Sequence, residues 1–161
     1  MATMILISRK VDYGILALHH LIERPVGVSA RELADHYGLS RAFLANILKQ
    51  LCQEGFVESH RGVHGGYRLA KAPNEINLAD VITALDGPFQ LMSCANSGGE
   101  PGEQCDLMHI CPVRSPLQVV HDRLLAALAD FTLEDLWRHQ KTPLVALTLE
   151  TKSDGCTPDL P

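Results

Sequence analysis

The feature that most constrains the fold is a three-residue turn, Gly38-Leu39-Ser40, between two segments with helical periodicity. After the turn, Ser40–Glu54 places apolar side chains at helical spacing, and Ser40 is a typical helix N-cap. Before it, Ser29 and Glu32 have the spacing of a capping box, in which each side chain bonds to the other residue's backbone amide. They begin a short helix that ends near Tyr37. Two helices joined by so tight a turn indicate a helix-turn-helix.

A glycine-rich hairpin follows the second of these helices. Phe56–Ser59 and Tyr67–Ala70 have the pattern of short strands, and His60–Gly66 between them carries three glycines. A further helical segment, Arg9–Glu23, precedes the helix-turn-helix. A two-stranded hairpin directly after a recognition helix is a wing, so the order of elements predicts a mainly α, winged helix-turn-helix fold.

Two more helices are predicted beyond the wing. Asn77 caps one that closes at Asp86-Gly87-Pro88, and Ser115–Ala129 forms another, with Pro116 in the first turn, where proline is permitted. This last helix has more apolar surface than a small winged domain needs, which favours a dimerisation helix over one folded back on its own domain. We expect four regions: a DNA-binding domain over 4–88, a cysteine loop over 89–112, a dimerisation helix with a short following segment over 113–137, and a mobile tail over 138–161.

Charge divides the chain unevenly. The 161 residues carry a net charge of −5, but residues 1–71 carry +3 and residues 72–161 carry −8. This division favours a first half that faces nucleic acid, although chance scatter of surface charge is the alternative. No apolar run reaches the roughly 18 residues of a membrane span. The apolar N-terminus is short and lies before Arg9-Lys10 rather than after it, the wrong order for a secretory signal, so we expect a cytoplasmic protein.

Polar residues off the apolar face of Ser40–Glu54 are the candidates for contact with DNA. In the major groove, Asn and Gln pair with adenine and Arg pairs with guanine. The candidates are Ser40, Arg41, Ala42, Asn46, Lys49 and Gln50. In the predicted wing, Arg61 beside Gly62 can enter the minor groove, because glycine lets the backbone approach DNA closely. The alternatives are a solvated helix face and a plain hairpin arginine.

Three of the five cysteines lie in one turn-rich segment. Ten residues separate Cys94 from Cys105, and five separate Cys105 from Cys111. Thiolates in a chain of this kind favour iron–sulfur clusters and zinc over a disulfide scaffold. The spacing matches neither the common zinc pairs nor the ferredoxin pattern, so zinc and a thiol–disulfide switch stay open beside a cluster. Cys52 is expected to be a small buried apolar residue, and Cys156 to be exposed in the tail.

Four ordered motifs and the cysteine loop resemble those of the Rrf-type winged-helix transcription regulators, over roughly residues 4–137. The motifs are Lys10–Tyr13, Ser40–Leu44, Arg61–Leu69 and Val81–Gly87, and the loop ends at Cys111–Arg114. The wing phrase Ser59–Tyr67 is most similar to that of the regulators of SUF-type cluster assembly. The resemblance implies a homodimeric repressor that binds palindromic double-stranded DNA, senses iron–sulfur or redox status and controls SUF-type genes.

The same resemblance implies a cofactor. Members of the family that carry a cluster hold a 2Fe–2S or 4Fe–4S centre on three cysteines, which correspond here to Cys94, Cys105 and Cys111. The gap of ten residues is longer than the family's usual first gap. A regulator that uses its cysteines for zinc or as a thiol switch, without a cluster, is the alternative.

The fourth ligand varies within the family. Some members use a histidine where this chain has Arg114, which cannot bind a metal. Others use an aspartate from the partner's first helix, which corresponds to Asp12. Asp106 and His109 are weaker alternatives, and the alternative role for Asp12 is that of a carboxylate stabilised by the helix dipole.

An enzyme is not expected. The sequence has no glycine-rich phosphate loop, no HExxH and no G-x-S-x-G motif. Electron transfer through a cluster would leave a complete winged helix without a role.

Overall fold

The computed structural model describes residues 7–62, 65–92, 107 and 110–140, and within them it confirms the mainly α, winged helix-turn-helix fold. The elements in chain order are α1 (Arg9–Glu23), α2 (Ala30–Tyr37), α3 (Arg41–Gln53), β1 (Val57–His60), β2 (Gly66–Leu69), α4 (Leu78–Asp86), α5 (Arg114–Asp130) and α6 (Leu133–Gln140). A single 3₁₀ turn, Pro73–Glu75, lies between the wing and α4.

Polar side chains cap the helices of the winged domain where the sequence predicts. The Ser40 hydroxyl accepts a hydrogen bond from the Phe43 amide at the start of α3. At the start of α2, the Ser29 hydroxyl accepts one from the Glu32 amide at 3.1 Å. The predicted capping box is only half formed, however, because the Glu32 carboxylate instead lies 3.8 Å from Nη1 of Arg24. An ion pair across the α1–α2 connection thus replaces the second capping bond.

The core lies between α1, α3 and α4. From α3 it receives the four apolar residues that the helical period predicts, namely Leu44, Ile47, Leu48 and Leu51, all fully buried. Helices α1 and α4 approach closely at Gly14, where an added Cβ would lie 2.3 Å from Cδ1 of Leu85. Lys10 of α1 donates a hydrogen bond to the carbonyl oxygen of Leu85 in the last turn of α4. This close contact ties the first helix of the chain to the helix that leads to the cysteine segment.

Each strand of the wing lies one residue from its predicted position. Phe56 ends the turn after α3 instead of beginning β1, because its amide donates to the carbonyl of Leu51 while Gly55 takes a φ of +72°. The ladder then pairs Val57 with Leu69 and His60 with Gly66. The tip is therefore shorter than the predicted His60–Gly66 segment, since both ends of that segment are paired.

The chain after α5 returns to the winged domain. The Leu78 amide donates to the Phe131 carbonyl, and the Leu133 amide donates to the Ile76 carbonyl, both at 2.9 Å. Leu133 is buried in the core. Helix α6 continues to Gln140, three residues beyond the predicted boundary at 137. None of the helices in the described ranges is long and apolar enough to cross a membrane.

Candidate nucleic-acid interface and cysteine segment

Helix α3 presents a polar surface on the side opposite its buried leucines. Ala42, Asn46 and Lys49 are exposed and share one side of the helix, since they follow each other at spacings of four and three. Arg41 and the capping residue Ser40 are exposed at the N-terminal end. This exposure meets the first requirement for major-groove contact. Contact of these five residues with DNA stays a prediction.

Gln50 differs from the other candidates on α3. The residue is half-buried, and its Oε1 atom is buried without a hydrogen-bond partner in the described part of the chain. An amide that pairs with adenine must present both its oxygen and its nitrogen to the groove. Gln50 therefore needs a rotation of its side chain before it can read a base, and it is the weakest of the predicted contacts.

Arg41 is held by an ion pair with α2. Its Nη2 lies 2.8 Å from Oδ1 and 3.0 Å from Oδ2 of Asp35, and its Nε lies 3.2 Å from Oδ1. Arg31 approaches the same carboxylate at 3.8 Å. Both side chains of the Arg41–Asp35 pair are more than half exposed. An ion pair thus joins the two helices of the helix-turn-helix at the edge of the surface predicted to face DNA.

The wing carries a second charged cluster, across its two strands. Glu58 and Arg68 stand directly opposite each other, with 2.5 Å between Oε1 and Nε, and His60 Nε2 lies 3.2 Å from the same oxygen. Hydrogen bonds from Arg68, and secondly from His60, hold the pKa of Glu58 below its ordinary value. Beyond this cluster, Arg61 and Gly62 are exposed, and Gly62 has a φ of +127°. The glycine thus supplies the conformation that turns the chain beside Arg61.

Strand β2 is attached to the body of the domain at its end near the wing tip. Val28 and Tyr67 form a bridge, with amide-to-carbonyl distances of 3.0 and 2.8 Å. A Cβ added to Gly66 would lie 2.8 Å from backbone atoms of Val28. Only glycine permits this contact, so Gly66 lets β2 lie against the backbone just before α2.

Of the three predicted cluster ligands, Cys111 is the one within the described residues. It carries a free, half-buried thiol three residues before α5. Cys94 and Cys105 lie outside the described residues, as do Asp106, His109 and Cys156. The described ranges, which do not include two of the three cysteines, hold no group of three or more potential metal ligands.

Asp12 and Cys52, the other residues singled out for their chemistry, lie in the winged domain. Asp12 is exposed in the first turn of α1, where its amide donates to the Ser8 carbonyl. Cys52 packs against the core, and burial raises the pKa of its thiol. The low thiolate content suits the structural role expected of Cys52.

Apolar side chains remain uncovered along α5. Val113, Leu117, Val120 and Leu124 follow each other at helical spacing and expose between 38% and 53% of their surface. An apolar groove of about 360 Å³ adjoins them. It is lined by Ile7, Val11, Ile82, Asp86, Phe89, Leu124, Ala127 and Leu128. A contiguous apolar surface of this kind marks an interaction site.

Sequence reasoning missed two residues of these sites. Asp35 stands four residues after Arg31, which signals an ion pair within α2, but its stronger pairing with Arg41 depends on how the turn folds α3 against α2. His121 was included in the predicted helix without a role, yet it is buried. The available signal was its position four residues after Leu117 and three before Leu124, which places it on the apolar side of the helix.

The model of the Rrf2 family, described as iron-dependent transcriptional regulators, matches residues 7–139. The chain belongs to the Rrf2 family. It is therefore a transcriptional regulator that binds DNA, and not an enzyme.

Solved structures of other Rrf2-type proteins have the same fold. CymR (YrzC), the global cysteine regulator of B. subtilis, is 29% identical, with a TM-score of 0.67 over 84% of this chain and 98% of that chain. T. potens IscR is 26% identical, with a TM-score of 0.67 over 88% and 93%. The oxidised form of S. aureus CymR is 26% identical, with a TM-score of 0.61 over 82% and 95%.

Proposed function

We propose that this Rrf2 regulator is a homodimeric repressor that carries an iron–sulfur cluster on Cys94, Cys105 and Cys111. The match to a family described as iron-dependent carries the proposal, because this chain has three thiols in the segment between its DNA-binding domain and α5. The chemistry of the donor set fits, since cysteine thiolates are the usual ligands of such clusters. When bound, the cluster would be oxidised or lost, reversibly, in response to oxidants and to the supply of iron.

DNA binding is assigned to the exposed side of α3 and to the wing. In a dimer, one α3 from each subunit would lie in successive major grooves, about 34–36 Å apart on a palindromic operator. Arg61 would reach the adjoining minor groove. Ser40, Arg41, Ala42, Asn46 and Lys49 would contact the major groove, with Gln50 at its edge. Gly62 would let the wing backbone beside Arg61 come close to the DNA. We expect the protein to act in the cytoplasm, where operator DNA lies.

Dimerisation is assigned to α5. The exposed Val113, Leu117, Val120 and Leu124 supply one continuous apolar stripe, and the groove beside it extends to Ile7. A second copy of this chain would cover the stripe. Asp12 is exposed on α1, whose neighbouring Val11 lines the same groove, and this supports a role as the fourth ligand donated to the partner's cluster.

SUF-type cluster assembly genes are the proposed targets. The support is the wing phrase Ser59–Tyr67, which resembles that of the regulators of these genes. Control of these genes would form a feedback loop, since a protein that senses clusters would regulate the supply of clusters.

A thiol switch without a cluster is the second candidate. S. aureus CymR, a similar protein, has been solved in an oxidised form. The two candidates differ in colour, since only a cluster absorbs visible light and releases acid-labile sulfide.

The deciding experiment is anaerobic purification of wild type, Cys105→Ala and Cys52→Ser, with visible spectra and analysis of iron and sulfide. We expect brown wild-type protein, a bleached Cys105→Ala variant and an unchanged Cys52→Ser control, since Cys52 packs against the core, away from the cysteine segment. Wild-type protein that stays colourless after reconstitution would leave zinc or a thiol switch on the same fold. Asp12→Ala that keeps an unchanged cluster spectrum would exclude the fourth-ligand assignment.

Operator binding by loaded and empty protein is the matching functional measurement. We expect the two states to differ in affinity for one operator, because regulation requires a coupling free energy between the cluster and DNA. Equal affinities would remove the sensing part of the proposal and leave DNA binding intact.

A further inference from the structure

Helix α5 contains one buried residue, and that residue is a histidine. His121 is only 4% exposed, whereas its apolar helix neighbours Val120 and Leu124 are 45% and 38% exposed. Packing alone favours the reverse arrangement, because burial of a polar ring is unfavourable unless its nitrogens find partners. The position of His121 therefore indicates a specific contact.

The contacts of His121 lie in the segment that follows α4. Its ring stacks on Phe89, with centroids 5.6 Å apart and planes at 16°. Its Nδ1 accepts a hydrogen bond from the Leu91 amide at 3.4 Å. Because Nδ1 is the acceptor, the neutral ring carries its proton on Nε2. The side chain thus holds both a ring and a backbone amide of residues 89–91 against α5.

This segment leads directly to the cysteines. Leu91 precedes Cys94 by three residues, which limits their Cα atoms to a separation of about 11 Å. At the other end, Cys111 lies three residues before α5 begins, and His121 is about 10 Å further along that helix. Both ends of the chain that carries the three thiols are therefore joined to the N-terminal half of α5.

We propose that His121 is a positioning residue, whose Nδ1 fixes the backbone at Leu91 and thereby sets where the chain to Cys94 begins. The inference rests on the proposed cysteine-ligated function and extends it to a residue that is not itself a ligand. It also gives a path of coupling, since a change among the cysteines would act on the Leu91–His121 bond and so on the helix assigned to dimerisation.

Two substitutions separate positioning from packing. His121→Phe keeps an aromatic ring against Phe89 but removes the acceptor for the Leu91 amide. His121→Asn loses the stacking but keeps an acceptor close to the position of Nδ1. Asp122→Asn, at the exposed neighbouring position, is the matched control.

The first readouts use protein without a cluster. They are hydrogen exchange of the Leu91 amide and the rate at which a maleimide labels Cys94, both followed by mass spectrometry. We expect His121→Phe to raise each rate at least threefold, and His121→Asn and Asp122→Asn to remain near wild type. Unchanged rates in His121→Phe would overturn the inference. Equal changes and equal loss of thermal stability in His121→Phe and His121→Asn would also overturn it, since they would indicate packing alone.

A second readout concerns the cluster and keeps the two proposals distinguishable. Reconstituted His121→Phe should lose its visible absorbance to a chelator at least threefold faster than wild type, with rescue in His121→Asn. Equal rates of loss would reject the positioning role even if the Leu91 amide exchanged faster. Wild type that takes up no cluster would instead reject the proposed function, while the exchange and labelling rates would still test His121.

Discussion

The carboxylate of Asp35 holds two of the three guanidinium nitrogens of Arg41, and Nη1 stays outside the pair. Asp35 lies in the last turn of α2, three residues before Gly38, and Arg41 is the first residue of α3. The pair therefore spans the turn of the helix-turn-helix. A guanidinium group that is hydrogen-bonded along one edge has fewer orientations than that of a free arginine. Asp35 therefore restricts the orientations that Arg41 would have for the DNA contact proposed for it.

Asp35→Asn should reduce sequence discrimination at the base that Arg41 is proposed to contact. Loss of a bidentate arginine contact costs about 1–3 kcal/mol, whereas an exposed ion pair contributes up to about 1 kcal/mol. We expect Arg41→Ala to lower the ratio of specific to non-specific affinity by about fivefold or more, and Asp35→Asn to lower it by about fivefold at most. Fluorescence anisotropy with operator and scrambled duplexes at fixed salt measures this ratio.

A double-mutant cycle tests whether Asp35 acts through Arg41. In the Arg41→Ala background, Asp35→Asn should no longer change the ratio. Glu32→Gln is the control, since Glu32 lies on the same helix but pairs with Arg24. Additive effects of the two substitutions would show that Asp35 influences DNA only through its own charge.

Val120→Glu should dissociate the proposed dimer. Val120 lies in the exposed apolar stripe of α5, and a symmetric interface would contain the substitution twice. Loss of a buried valine costs about 1.5 kcal/mol or more, so the dimer Kd should rise by more than about tenfold. Sedimentation velocity over a concentration series measures it. Ala126→Glu, on the opposite side of α5, is the control and should leave Kd unchanged. A Val120→Glu protein that remains dimeric would exclude this stripe as the dimer interface.

His20 should make the fold less stable in mild acid. The residue is buried in α1 with Nδ1 3.1 Å from the Tyr37 hydroxyl, and its ring lies 5.0 Å from that of His36. Burial, followed by the charges of His36 and Arg24, lowers the pKa of His20 below its ordinary value, against smaller opposing effects of Glu23 and Glu32. The unfolded chain therefore takes up a proton first as the pH falls.

Proton linkage determines whether the free energy of unfolding rises or falls with pH. Above about pH 6.5, His20 is neutral in both the folded and the unfolded chain and does not reduce the stability of the fold. As the pH falls from there toward the lower pKa of the folded state, stability is lost. Urea unfolding between pH 5 and pH 8 should show this loss in wild type and a smaller loss in His20→Asn, whatever the stability of the variant at pH 8. An identical pH dependence in the two proteins would contradict the assignment.

Gly66→Ala should displace the wing. The added Cβ would lie 2.8 Å from backbone atoms of Val28, which cannot move aside as a flexible side chain can. We expect a loss of about 1–3 kcal/mol in the free energy of unfolding and faster exchange of the Tyr67 amide, which donates to Val28. Ser59→Ala, at the exposed position opposite Tyr67, is the control. Wild-type stability in Gly66→Ala would mean that the wing adjusts without cost.

Much of the winged domain follows from local sequence. Ser40, Asn77 and Gly87 act only on their own helix ends, and the leucines of α3 recur at a helical period, so neighbouring residues suffice to place these elements. Strand β1 begins one residue later than predicted because the Phe56 amide completes the ending of α3 by donating to Leu51. That choice depends on competition between two partners, which spacing alone does not reveal.

The sequence by itself determined the order of helices, the turn, the wing and the residue types available to DNA and to a cluster. These depend on periodicity and on capping, which act over a few residues. Tertiary structure decided that Asp35 pairs with Arg41, that Gln50 turns inward and that His121 is buried against Phe89 and Leu91. The first and the last of these join residues from different parts of the chain, and His121 and Leu91 are separated by thirty positions. Their meeting depends on the packing of α5 on α4, which no local pattern encodes.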